Sequence, residues 1–195
     1  MAQASQNEAP PLSPQTVEGQ LREMYGRVAY THKTHEKMAD RYVTQYRLVK
    51  AIEITASALG TGSLLVAVFG DSREGTIFGA IMSTILLALT LYVREGDLGE
   101  RAQKHTVVAA KLWGLRERLL SLLIDIRGGR SLEGAREERD AINAALEEIY
   151  KHAPRTTDRA YRAAQKALKH GEELYFSQDE LDRLLPQQIR STERS

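Results

Sequence analysis

Cysteine is absent from the 195-residue chain, which removes disulfides and thiolate-bound metal from consideration. Net charge is nearly absent as well: 27 Lys and Arg against 26 Asp and Glu leave +1, a balance that gives no reason to invoke nucleic acid as a partner. The opening residues MAQASQNEAPPLSPQ lack a basic n-region and an apolar h-region. They read as a disordered polar leader over residues 1–15 rather than a signal peptide. No strand pattern stands out and no segment repeats. A nucleophile elbow, a P-loop, a dinucleotide fingerprint and a paired-carboxylate arrangement are all missing, so no catalytic residue and no cofactor is assigned and the chain is not read as an enzyme.

The last absence is local. Residues 54–70 (ITASALGTGSLLVAVFG) and 75–93 (GTIFGAIMSTILLALTLYV) carry no charge at all. The second run is long enough, at ~1.5 Å per residue, to cross a hydrocarbon core of roughly 30 Å. The first reaches that length once residues 51–53 are included. Only Asp71-Ser72-Arg73-Glu74 separates them, so the chain turns straight back. The mean hydropathy of -0.40 hides this organisation, because the charge is concentrated outside the two runs. A buried hairpin at the centre of a soluble bundle is the competing arrangement. Soluble core helices keep a polar face, and residues 76–93 have no charged one.

The expected fold is therefore an all-α membrane protein, a two-helix transmembrane hairpin flanked by cytoplasmic helices that form a bundle. Its segments are the leader 1–15, a cytoplasmic helix 16–50, the hairpin 51–93 (spans 51–70 and 75–93), a cytoplasmic helical region 94–186, and a flexible tail 187–195. Lys33, Lys37, Arg41, Arg47 and Lys50 precede the first span, and Arg94, Arg101, Lys104 and Lys111 follow the second. By the positive-inside rule both termini are cytoplasmic and the connecting tetrapeptide faces outward.

The first helix is expected to start at Ser13-Pro14, an N-cap followed by proline. Its seam is Val17, Leu21, Met24, Val28, Met38, Tyr42 and Val49, interrupted by Thr31, His35 and Gln45. No breaker separates it from the first span. Beyond the hairpin, Gly96 and Gly99 are expected to loosen the exit. A helix from Glu100 to about Arg127 then presents Val108, Leu112, Leu115, Leu119, Leu122, Leu123 and Ile126, with Trp113 beside them. Gly128-Gly129 stops it. Ser131 caps the next helix, with seam Leu132, Ala135, Ile142, Leu146 and Ile149, which Pro154 ends. Thr157 or Asp158 caps a shorter one through Tyr161, Ala164 and Leu168, closing near Gly171. Ser177-Gln178-Asp179-Glu180 is a capping box.

Inside the spans, Glu53, Ser57, Gly60, Leu64 and Ala67 share one face of the first helix. Thr76, Ala80, Ser83, Leu87 and Thr90, with Gly79 alongside, share one face of the second. Small and weakly polar stripes let membrane helices pack closely; lining a wet lumen in an oligomer is the other use of the same stripe. Periodicity leaves both open for Glu53, Ser57, Gly60, Thr76, Gly79, Ser83 and Thr90. Glu53 is the acid inside a span, and an interfacial pair with Arg94 would satisfy it. His32 and His35 lie three apart beside Glu36, but zinc needs more ligands than that, the remaining His105, His152 and His170 are scattered, and His-Glu-x-x-His is missing. No metal site is assigned; packing and hydrogen bonding within the bundle are expected of these histidines.

The segment Arg27-Val28-Ala29-Tyr30-Thr31-His32-Lys33-Thr34-His35-Glu36-Lys37 resembles the SLATT family, the SMODS and SLOG-associating two-transmembrane effectors of bacterial conflict systems. So does Ile149-Tyr150-Lys151-His152-Ala153-Pro154-Arg155-Thr156-Thr157-Asp158-Arg159-Ala160-Tyr161, and so does Phe176-Ser177-Gln178-Asp179-Glu180-Leu181-Asp182 running into Leu185-Pro186. The resemblance covers most of residues 18–186. It implies a pore-forming antiviral effector that assembles as a homo-oligomer in the lipid bilayer and depolarises it in abortive infection. It also implies a sensor of nucleotidyltransferase or SLOG type, or its nucleotide product, acting in trans, because neither sequence is fused here. Arg27, Tyr30, His32, Lys33, His35, Glu36, Lys37, Pro154, Arg155, Thr156, Asp158 and Tyr161 are carried over as bundle and assembly elements. A non-conducting membrane scaffold that recruits a soluble partner is the alternative.

Overall fold

A computed structural model describes residues 16–70, 73–171, 174, 176–184 and 186. The expected leader 1–15 and tail 187–195, together with Asp71, Ser72 and Leu185 of the expected turn and last helix, lie outside the described residues. Helices follow one another as α1 (Val17–Gly70), α2 (Arg73–Gly96), α3 (Leu98–Arg127), α4 (Leu132–His152), α5 (Asp158–His170) and α6 (Gln178–Leu184), with no strand among the described residues.

α1 is one uninterrupted helix of 54 residues, about 80 Å long at ~1.5 Å per residue. Cytoplasmic helix and first span are thus continuous, as the missing breaker implied. The helix opens at Val17, where the Thr16 hydroxyl accepts the Gly19 N–H at 3.0 Å and satisfies one of its four free donors. The Ser13-Pro14 start lies outside the described residues.

α2 and α3 run back along α1 as a second rod with a single flaw. Its place corrects an expectation, since Gly96 and Gly99 both stay helical and Asp97 between them adopts the left-handed conformation (φ 43, ψ 45). Asp and Asn tolerate that region better than other residues that carry a Cβ. Helical hydrogen bonds still bracket the break, from Asp97 N–H to the Val93 carbonyl (3.2 Å) and from Arg101 N–H to the Asp97 carbonyl (3.0 Å).

At the end away from the apolar spans the two rods are joined by large side chains. Leu21, Met24 and Val28 of α1 meet Val108, Leu112, Leu115, Leu119 and Leu122 of α3, and α4 closes the cluster with Ala135, Ile142 and Leu146. The α3–α4 reversal uses Gly128 as the C-cap and Gly129 at φ +98, where a side chain would be strained. Ser131 caps α4 through the Gly134 N–H (3.2 Å), and Thr157 caps α5 through the Ala160 N–H (3.3 Å). α5 lies on α1 with Ala160, Ala164 and Ala167 buried. The Ser177 capping box forms reciprocally, with Glu180 Oε2 accepting the Ser177 N–H (2.9 Å) and Ser177 Oγ accepting the Glu180 N–H (3.3 Å). Two seam assignments need correction. Leu132, at the first position of α4, is exposed, and Tyr161 is half-exposed outside the alanine stripe of α5.

The other half of the hairpin has no such cover. Ile54, Leu59, Leu65, Val66 and Phe69 of α1 and Ile77, Phe78, Ile81, Ile85 and Leu91 of α2 all face outward. The apolar windows of the two rods are only 17 % and 6 % buried, so the hairpin is not the interior of a soluble bundle within this chain. Both helices are long and apolar enough to cross a membrane. Their mutual contact is narrow: Glu53, Ala56, Gly60, Ser63 and Ala67 on α1 against Gly75, Gly79, Met82, Leu86 and Leu89 on α2.

Candidate functional site

Glycine sets the hairpin contact. A Cβ on Gly75 would stand 3.0 Å from the Ser63 carbonyl oxygen and 3.2 Å from the Ala67 nitrogen, and one on Gly79 would stand 3.0 Å from Ser63 Oγ. Gly75 and Gly79 form a Gly-x-x-x-Gly pair, which lets helix backbones approach in lipid. Sequence reasoning missed Gly75 and Ser63 here, although the spacing of GTIFG carries the signal.

On α2 this contact line is rotated by one residue from the expected stripe, whereas on α1 it keeps Glu53, Gly60 and Ala67 of that stripe. Gly60, Gly79 and Glu53 lie in it, whereas Ser57, Thr76, Ser83 and Thr90 are exposed on the outside of the hairpin, with Ala80 and Leu87 beside them. The Thr90 hydroxyl donates to the Leu86 carbonyl at 2.9 Å, and Thr84, Thr61 and Thr55 likewise donate to carbonyls one turn back. Such hydroxyls face hydrocarbon at little cost.

Glu53 is the exception. Its partner is Lys50, whose Nζ donates to Oε2 at 2.8 Å, rather than Arg94, and its Oε1 is buried without a hydrogen bond. The antiparallel register explains the change. Gly60 meets Met82 and Ser63 meets Gly79, which brings Glu53 level with Leu89, more than a turn deeper than Arg94. The hydrogen bond to Glu53 also holds the Lys50 ammonium above the usual lysine range.

The carried-over motif residues gather in the half away from the apolar spans. His32, His35 and His105 are nearly fully buried at the α1–α3 contact. His32 Nδ1 lies 3.0 Å from the Ala109 carbonyl and its Nε2 lies 3.6 Å from Glu36, which also takes Lys33 Nζ at 2.6 Å. His105 is not apart from the others, as its position in the sequence suggested. Its Nδ1 lies 2.9 Å from His35 Nδ1, and Tyr42 stacks on its ring at 5.7 Å. Burial, then the neighbouring His105 and His32, lower the His35 pKa to about 4, and burial lowers that of His105. One imidazole donates and the other accepts, with both neutral at pH 7. No group of three His, Asp or Glu among the described residues is placed to hold a metal ion.

The first and second motifs, more than a hundred residues apart in sequence, converge on one cleft of about 420 Å³. Tyr30, Thr34 and His35 of α1 form one side, and Tyr150, Pro154, Arg155, Thr156 and Tyr161 form the other. The Tyr30 and Tyr161 ring centroids lie 6.0 Å apart, and Thr157 Oγ1 reaches Met38 Sδ at 3.5 Å. Pro154 leaves Ala153 extended, and this carries the chain from α4 across to α5 on α1. Arg27 and Asp158 stay on the surface; Arg27 pairs with Glu23 at 3.1 Å. Lys37 lines a separate groove beside His32, Lys33 and Glu36. Thr34 and Tyr150 complete the cleft without having been singled out in advance.

Comparison with known proteins places this arrangement. The family described as SMODS and SLOG-associating 2TM effector domain family 4 matches residues 17–180, and the chain belongs to it. No curated protein and no solved structure matches the chain.

Proposed function

We propose that this SLATT-family membrane effector assembles as a homo-oligomer in the bacterial inner membrane, with both termini cytoplasmic. Its hairpins form or gate a pore that depolarises the cell in response to a nucleotide-sensing or nucleotide-synthesising partner. The observation that supports the reading is the position of Thr76, Ala80, Ser83, Leu87 and Thr90. The glycine contact line holds each hairpin together without them, leaving a weakly polar face of α2 for neighbouring copies. One hairpin cannot enclose a lumen, so conduction requires several. The partner acts in trans, and a shift between closed and open assemblies requires that it bind one of them more tightly.

The test is expression in cells loaded with a potential-sensitive dye, with and without the neighbouring gene's product. Loss of potential is expected with the partner present. Ser83→Leu or Thr90→Leu is expected to abolish it at unchanged protein level. Unchanged potential under both conditions, with oligomers still present, would replace the pore by a non-conducting scaffold.

A further inference from the structure

The cleft shared by the first two motifs has the features of a ligand site. His35 is only 2 % exposed and lines the cleft, yet only its Nδ1 is engaged, by His105. Its Nε2 has no protein partner among the described residues and is not sealed from solvent, so a ligand entering the cleft can reach it as a hydrogen-bonding group. The Thr34 hydroxyl is already committed to the Tyr30 carbonyl at 2.8 Å, so it does not compete for that nitrogen. Three tyrosines, Tyr30, Tyr150 and Tyr161, supply flat apolar walls, and Arg155 is the cation at the rim. No carboxylate among the described residues lines the cleft, so its described lining favours an anion. A volume of about 420 Å³ falls in the range of small-molecule sites.

We propose that this cleft binds a nucleotide as one planar ring and one phosphate, with the ring against the tyrosines, the phosphate on Arg155 and a ring atom on His35 Nε2. The inference rests on the reading that the effector answers a nucleotide signal, and it names where that signal is read. It also gives the signal a route. His35 Nδ1 meets His105 Nδ1, so a ligand that fixes the tautomer of His35 fixes that of His105 on α3. α3 leads through Asp97 directly into the second span. Burial keeps His35 neutral at pH 7, so donor and acceptor roles can be exchanged along the pair without a net charge.

The experiment is titration calorimetry on the full-length protein in detergent micelles. The probes are adenosine 5′-monophosphate, guanosine 5′-monophosphate, the two nucleosides and inorganic phosphate. One monophosphate is expected to bind more tightly than its nucleoside or phosphate alone. Arg155→Ala is expected to weaken it about tenfold through loss of a charge-assisted contact, and Tyr150→Ala about fivefold or more through loss of stacking. Both side chains are exposed in the free protein, so neither change threatens the fold. Absence of binding by both monophosphates overturns the proposal, as does wild-type affinity in both variants or binding by phosphate alone at the same strength. The dye assay separates this from the pore. Depolarisation without nucleotide binding overturns the site and leaves the pore, whereas binding without depolarisation does the reverse.

Discussion

The two ends of the same antiparallel helix pair are built on opposite rules. At the bundle end α1 and α3 meet through leucine, methionine and histidine, and α4 and α5 wrap them until Leu21, Leu112, Leu119 and Ile142 are sealed from solvent. At the membrane end α1 and α2 meet closely at Gly60, Ser63, Gly75 and Gly79, while Ile54, Leu59, Leu65, Val66 and Phe69 of α1 and Ile77, Phe78, Ile81 and Ile85 of α2 face outward. In water, apolar surface must be buried by the chain itself. In lipid, tails solvate it, so contact comes from close backbones and small residues. The same pair of helices changes its packing chemistry where its solvent changes.

The sharpest way to break this comparison is to truncate a large residue on each side. Leu119→Ala in the sealed core is expected to lower stability by about 2–5 kcal/mol. Phe69→Ala, at 85 % exposure on the hairpin, is expected to leave it nearly unchanged. Thermal unfolding followed by circular dichroism in micelles compares the two. Equal losses would mean that the hairpin surface is packed after all.

Acid probes the buried histidine pair of the bundle. His35 titrates near 4 in the fold against an ordinary value of 6.5, so the unfolded chain takes up its proton first. Stability is therefore expected to fall as pH drops from 6.5 towards 4, by up to about 3 kcal/mol. His105, shifted the same way, adds to the trend. Chemical unfolding at a series of pH values should show the slope, and His35→Gln should flatten it.

Gly75→Ile tests the membrane half. Its Cβ would meet backbone atoms of Ser63 and Ala67 at 3.0–3.2 Å, and separating the helices is expected to cost about 1–3 kcal/mol. Gly62→Ala, with open space around it, is the control expected to be neutral. Spin-label distances across the hairpin would register the separation. The smallest effect belongs to the caps. Ser131→Ala loses the bond to Gly134 and about 1 kcal/mol, visible as faster hydrogen exchange over the first turn of α4.

Much of the bundle was legible in the sequence, because its signals are local. Ser131, Thr157 and the Ser177 box cap the helices they precede, and Gly128-Gly129 stops α3. The two spans were legible as well, since their length and lack of charge alone identify them. What was not legible depends on register between distant segments. Which face of α2 meets α1 follows from where Gly75 and Gly79 land on Ser63 and Ala67, and a stripe one residue away satisfies the same periodicity. Glu53 takes Lys50 rather than Arg94 for the same reason. The meeting of His35 with His105, and of Tyr30 with Tyr161, comes from chain reversals that no local pattern encodes. The candidate cleft was present in the sequence only as two separate motifs.

Asp97 makes the two rods unlike. α1 joins the bundle to the first span as one unbroken helix. The returning rod is interrupted between bundle and span, at one residue in a conformation that costs about 1–2 kcal/mol. The two spans are therefore tied to the bundle by unequal connections, one continuous and one jointed.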